Sequence, residues 1–200
     1  MPAASCQGTL TTVPKLVLAS ASPRRRELLT YLGVPFKVLP IPMDESRYSN
    51  EAPSVYVRRL ALQKAKAVQS VEPQTVIIAA DTIVALGGQI FGKPTSKAEA
   101  FSMLTTLSAK THTVHTGVAI VYLDRAIVIE TVTSVTFMAL DEPSIHAYLA
   151  CHEWQDKAGA YALQGKAIRF IEKIDGSPSG VIGLPLPETT LLLKEFGCIT

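Results

Sequence analysis

The chain is poor in cysteine, holding only Cys6, Cys151 and Cys198. They form neither a paired framework nor a CxxC, which excludes a disulfide scaffold and points to reduced thiols in a cytoplasmic setting. Long apolar runs are missing too: no stretch approaches the roughly 18–20 consecutive apolar residues of a membrane span. An excess of one charge sign is also absent. Nineteen Lys and Arg against 17 Asp and Glu leave a formal charge of +2, and no basic run exceeds Arg24-Arg25-Arg26. That balance is too weak to coat nucleic acid, so neither a nucleic acid nor a membrane is an expected partner and any basic patch is local. The opening MPAASCQGTLTTVP lacks the long apolar core of a signal peptide. It reads as a flexible tail over residues 1–14, although its Ser and Thr content and poverty in acids leave a transit peptide open.

What is present is 48% hydrophobic residues over 200 positions, enough for one core without staples, so residues 15–200 read as a single domain. Lys15 to Ser20 is a short apolar run ending in a helix start, with Ser22 as N-cap and Pro23 at the first helical position. The helix runs to about Leu32 and stops at Gly33. Phe36 to Pro40 alternates like a strand, and Pro53 to about Ser70 has helical spacing of Val57, Leu60, Ala61, Lys64, Ala65 and Val68. Thr75 to Ala80 is an apolar run with no polar alternation, the pattern of a strand buried on both faces, and it ends at Asp81-Thr82. A hairpin around Gly87-Gly88 follows, then a capping box at Ser96 and Glu99 opening a helix to about Leu107. Strands over 112–122 and 126–137 flank a second hairpin. A helix capped by Asp141 or Ser144 follows, with short strands near 167–174 and at Val181-Ile182, and a last helix from Pro187. Alternating helices and strands followed by a meander predict a mixed α/β (α+β) fold: an elongated mixed sheet flanked by helices, with two lobes and a central cleft.

Ser20, Ser22, Arg24, Arg25 and Arg26 lie at the strand-to-helix turn, where free N–H groups and guanidinium forks can face one anion. A solvated basic helix face is the alternative. Successive helical residues point about 100° apart, so three arginines cannot share one ligand, and Arg26 is left to solvent. Asp81 closes the most apolar strand, where open α/β sheets place their ligand crevice, though an aspartate there also suits a turn or cap. Lys64 interrupts an apolar helix face, and Lys93 sits in a Gly-Lys-Pro turn; lone lysines are more often surface residues. Gly92-Lys93-Pro94 is not a P-loop, since proline replaces the hydroxyl residue and no glycine is correctly spaced. His112 and His115 are three apart on a strand and point to opposite faces, so they do not jointly hold a metal. Small residues around Lys157, Tyr161 and Gln164 suit a backbone approaching a ligand, or simply a tight loop. Gln164 offers donor and acceptor together, which fits a nucleobase edge.

Taken together, LASASPRRRELL (18–29), DE at 44–45, LALQKAKAV (60–68), AADTIV (79–84), GKP (92–94), DKAGAYALQG (156–165) and GLPLPET (183–189) resemble the Maf family of nucleoside triphosphate pyrophosphatases. The pieces run in family order through nearly the whole chain after Lys15. The resemblance implies a fold similar to the inosine triphosphate pyrophosphatases. It also implies hydrolysis of a nucleoside triphosphate to monophosphate and pyrophosphate with Mg²⁺ or Mn²⁺, cytoplasmic residence and a homodimer. Asp81 falls on the proposed general base, Ser20, Arg24 and Arg25 on the phosphate-binding turn, Glu45 on the acidic position, and Lys64 and Lys93 on the two lysines. Glu45 and Asp81 would hold the metal. Arg24, Thr82 and Gln164 are similar to the trio marking the dTTP and UTP subgroup rather than the 7-methyl-GTP subgroup. The chain departs from the common pattern at Ser177-Pro178-Ser179-Gly180. Two rival readings are a nucleotide-binding regulator of cell division without turnover and a nucleotidyl or sugar-phosphate transferase.

Overall fold

The computed structural model describes residues 14–199; the tail reading for 1–14 and Cys6 otherwise lie outside the described residues. In chain order the elements are β1 (Leu16–Leu18), α1 (Pro23–Thr30), β2 (Phe36–Val38), α2 (Pro53–Gln69), β3 (Val76–Leu86), β4 (Gln89–Phe91), α3 (Lys97–Leu107), β5 (Thr111–Tyr122), β6 (Arg125–Phe137), α4 (Glu142–Leu149), β7 (Ile171–Asp175), α5 (Pro178–Ile182) and α6 (Leu186–Glu195). The strands form one sheet in the order β2-β1-β3-β5-β6-β7, with β4 also on β3. β1 pairs in parallel with β2 and β3, and the other pairings are antiparallel. This is the expected mixed α/β class.

The helix starts follow from local chemistry. Ser22 caps α1 by accepting from the Arg25 N–H, and Pro23 needs no donor there. Asp141, not Ser144, caps α4, accepting from the Ser144 N–H at 2.7 Å. At α3 the Ser96 hydroxyl accepts from the Glu99 N–H at 3.1 Å, while the Glu99 carboxylate reaches back to the Thr95 N–H at 2.7 Å. Two expectations change. Val181-Ile182 is the end of α5 rather than a strand, because Ser177 caps that turn at the Gly180 N–H and Gly183 at φ +129° ends it. Asp81 is mid-strand, since β3 runs through it to Leu86.

The register explains how a polar pair sits inside so apolar a strand. Side chains alternate between faces, so Asp81 and Thr82 part to opposite sides. On one face Ile77 and Ala79 join Ala119 and Val121 beneath Ala61, Ala65 and Val68 of α2. On the other, Ile78 and Ala80 join Val118 and Ile120 under Leu28 and Leu29 of α1 and Leu192 and Leu193 of α6. Farther along that second face, Val84 and Val114 enter a separate core with Leu104 and Leu107 of α3, Ile145 and Leu149 of α4, Phe137 and Phe170. Between these two cores runs a row of threonines, Thr82 opposite Thr116 and Thr116 opposite Thr131. The row marks the border between two lobes that share one sheet.

Candidate active site

A cleft of about 790 Å³ opens at this border, within the range of pockets that enclose small-molecule ligands. Its floor is a notch in the sheet. β1 pairs with β3 only through Val76 to Ile78, and β4 resumes pairing at Val84 to Leu86. Between them residues 79–83 have no strand neighbour on that edge among the described residues, and both Asp81 and Thr82 line the cleft from there. The crevice therefore lies beyond the carboxyl end of β1, not of β3.

On the α2 face Asp81 is buried, with 7% of its surface exposed. The Lys64 ammonium bridges Asp81 Oδ1 at 2.7 Å and Glu45 Oε1 at 2.8 Å. Gly117 makes this possible. It lies opposite Asp81 in the register, and a Cβ there would stand 2.5 Å from the Val57 carbonyl oxygen, so only glycine lets α2 lie this low across the sheet. Burial disfavours the Glu45 carboxylate, but the hydrogen bond and charge of Lys64, joined by Lys93 and Arg25, outweigh it and hold Glu45 below the usual carboxylate range. Tyr56 donates to the Glu45 carbonyl at 2.8 Å, and burial, with the Asp81 and Glu45 charges, pushes its phenol up to about 12.

On the opposite face Arg25 spends its fork within the protein. Nε donates to the Gly183 carbonyl at 2.9 Å, Nη1 to Ser20 Oγ at 3.4 Å and Nη2 to Thr82 Oγ1 at 3.1 Å. The Thr82 hydroxyl also meets Thr116 Oγ1 at 2.9 Å, and Thr116 donates to the Gly180 carbonyl at 2.8 Å. Burial lowers the pKa of Arg25 while Asp81 and Glu45 raise it; a guanidinium remains charged throughout. Thr82 is thus tied to Arg25, while Arg24 and Gln164, the other two of the subgroup-marking trio, line the same cleft. Arg24 also lines the cleft, and burial lowers its pKa against the charge of Asp156. Lys157, Lys93 and Gln164 line the cleft as well. Burial, reinforced by the like charge of Arg24, lowers the pKa of Lys157, whose Nζ donates to the Gln155 carbonyl at 2.9 Å. Ser22 lines the cleft, but its hydroxyl serves as the α1 cap. Arg26 is exposed and outside the cleft lining, as expected.

Every expected site residue therefore meets in one cleft, where Arg24, Arg25, Lys64, Lys93 and Lys157 surround Glu45, Asp81 and Asp156. Gly183 and Tyr56 were not anticipated: the first acts through its carbonyl, which no side-chain pattern reveals. Tyr56 was legible as the start of a polar stripe on α2 with Arg59 and Gln63.

No group of three or more His, Cys, Asp or Glu is placed to hold a metal among the described residues. Lys64 occupies one oxygen of each carboxylate, leaving Glu45 Oε2 and Asp81 Oδ2 to another cation. Two carboxylates with open positions fit Mg²⁺ or Mn²⁺, which bind through one or two carboxylates plus substrate phosphates.

Fold and site together define an α/β protein whose central cleft gathers cationic side chains around a lysine-bridged carboxylate pair. The chain belongs to the Maf family: the family model described as Maf-like protein matches residues 15–196. It is 49% identical over 187 residues to a protein of Xanthomonas euvesicatoria pv. vesicatoria named dTTP/UTP pyrophosphatase, covering 91% of this chain and 98% of that protein. A Bacillus anthracis protein of the same name is 46% identical over 182 residues, covering 91% of this chain and 95% of the relative. Among solved structures, a nucleoside-triphosphatase / dITP/XTP pyrophosphatase from Mycobacterium abscessus is a distant likeness. It has 15% identity and a TM-score of 0.44 over 92% of this chain and 95% of the other.

Proposed function

We propose that the protein hydrolyses the α–β phosphoanhydride of a pyrimidine nucleoside triphosphate, dTTP or UTP, to the monophosphate and pyrophosphate. The observation that carries this reading is the Glu45–Lys64–Asp81 bridge at the floor of a cleft lined by Arg24, Arg25, Lys93 and Lys157. A triphosphate with about four negative charges matches such a lining. Relatives bearing the dTTP/UTP name support the substrate class.

Asp81 is the general base: it takes a proton from water as the water oxygen bonds to the α-phosphorus and the bond to the bridging oxygen breaks. Lys64 holds the Asp81 carboxylate towards the cleft and, with Lys93, neutralises phosphate charge. Arg25 and Ser20 orient the phosphates, and Ser22 acts by fixing the turn. Gln164 and Lys157, which also line the cleft, receive the base and sugar end with Arg24. Thr82 influences the choice of base through Arg25, to which it is bonded. Glu45 and Asp81 would hold Mg²⁺ or Mn²⁺, which supplies Lewis-acid stabilisation of the charge developing on phosphate oxygens. A cytoplasmic homodimer accompanies this reading, as the Maf resemblance implies.

Pyrophosphate release from dTTP, UTP, dCTP, GTP and 7-methyl-GTP, with and without Mg²⁺, tests the proposal. Metal-dependent release from dTTP and UTP is expected. Preference for a purine overturns the substrate assignment, and nucleotide binding without any release favours the regulator.

A further inference from the structure

Glu45 stands on the segment 39–52 between β2 and α2, which contains no helix or strand. Leu39 and Ile41 at its start pack against the α2-side core, but from Asp44 to Asn50 every residue is exposed. Apolar burial therefore does not fix the stretch that carries the carboxylate.

Arg59 of α2 does so instead. Its Nε meets Glu51 Oε1 at 2.6 Å and its Nη2 meets Glu51 Oε2 at 2.7 Å, a two-pronged pair. The side chains are 15% and 4% exposed. The same Nη2 donates to the carbonyl of Ser46, next to Glu45, at 3.1 Å. The guanidinium lies 4.0 Å from the centroid of the Tyr48 ring, and Glu51 Oε2 also accepts from the Tyr48 N–H at 3.1 Å. Glu51 and Arg59 are absent from the cleft lining. Reading along α2, Tyr56 grips the Glu45 carbonyl, Arg59 the Ser46 carbonyl and Lys64 the Glu45 carboxylate. Tyr56 and Arg59, three residues apart, are neighbours on the helix surface, and Lys64 follows a little over two turns beyond Tyr56.

We propose that the Glu51–Arg59 pair is the positioning device of the site: it locks the backbone at Glu45 and Ser46 to α2, so that the Glu45 carboxylate faces Asp81 and the pair binds a divalent cation. The proposal rests on the reading that Glu45 and Asp81 hold that cation. Outer groups that orient metal ligands set affinity strongly, by about 10–100-fold when removed. A salt bridge serving stability alone would leave the affinity of the folded protein unchanged.

Mn²⁺ binding to the nucleotide-free full chain, followed by the electron paramagnetic resonance signal of free Mn²⁺, separates these cases. Wild type, Glu51→Gln and Arg59→Lys are compared, alongside thermal unfolding and the Mn²⁺ dependence of pyrophosphate release. Both variants are expected to weaken Mn²⁺ binding about tenfold or more, and to recover most of their kcat once Mn²⁺ is raised in proportion. Arg59→Lys keeps the charge but loses the fork, and provides the test if Glu51→Gln does not fold. Unchanged Mn²⁺ affinity in a folded variant, with activity following only the folded fraction, overturns the positioning role. Wild type that binds no Mn²⁺ overturns the metal reading itself, and the clasp proposal with it.

Discussion

Acidification should weaken this protein through one histidine buried beside Tyr161 of the cleft lining. His112 on β5 is 1% exposed, with its Nε2 2.8 Å from the Tyr161 hydroxyl and its ring edge-on to Phe137 at 4.9 Å. Its Nδ1 is buried without a hydrogen-bond partner. Burial pushes its pKa down to about 4, whereas the unfolded chain protonates histidine near 6.5. The unfolded state therefore binds more protons between these values, and stability falls as pH drops through this window. The full gap corresponds to about 3 kcal/mol, of which about 2 kcal/mol is lost between pH 7 and pH 5. Against a typical total of about 5–15 kcal/mol that loss is easily measured. The carboxylates held low by their partners, such as Glu45 and Asp141, contribute stability that is lost only at lower pH, below the unfolded carboxylate range. They therefore add little in this interval. Urea unfolding of wild type and His112→Gln at pH 7, 6 and 5 gives the comparison. Gln keeps a polar partner for Tyr161, lowers stability at pH 7, and should lose about 2 kcal/mol less than wild type on going to pH 5. Equal pH slopes in the two proteins would refute the reasoning.

Asp81→Asn should stay folded by circular dichroism and lose about 10²–10⁴-fold in pyrophosphate release, the usual worth of a general base. Gly117→Ala places a Cβ against the Val57 carbonyl, and should cost about 1–3 kcal/mol in denaturant unfolding while weakening catalysis by lifting Lys64. Lys64→Gln removes the hydrogen bond and charge that hold Glu45 low, so the acid limb of the pH–rate profile should move to higher pH. Arg25→Lys gives up the fork to Ser20, Thr82 and Gly183, and its KM for dTTP should rise about tenfold, as expected for losing charged hydrogen bonds.

The features legible in the sequence were those set by neighbours along the chain. Ser22-Pro23 begins α1 as read, the Gly87-Gly88 turn joins β3 to β4, and the polar pair Asp81-Thr82, which stands out within an apolar run, lines the cleft. Strand continuity through that pair was not legible: a two-residue polar break looks like an end, yet alternation sends one side chain to each face and the ladder continues with β5. Val181-Ile182 carried β-branched residues into a helix, since the Ser177 cap and Gly183 outweigh their strand preference. Which arginine meets Thr82 depended on the rotation of α1 and on a carbonyl far along the chain, at Gly183. No local spacing in the sequence pairs Glu51 with Arg59; the contact exists only once the 39–52 segment lies along α2.

The threonine row at the lobe border constrains how the enzyme can move. β3, β5 and β6, of 11, 12 and 13 residues, cross that border without a break, so the lobes share three hydrogen-bonded strands as a common keel. A hinge closing the lobes on a nucleotide would have to shear this ladder, at a cost spread over many backbone bonds. Adjustment to the substrate should fall instead to the cleft's rim at the 156–165 loop, while the 39–52 segment stays clasped to α2 through Glu51 and Arg59. Substrate exchange should then follow rim mobility, with slow solvent exchange of the central strand amides in the free and nucleotide-bound protein alike.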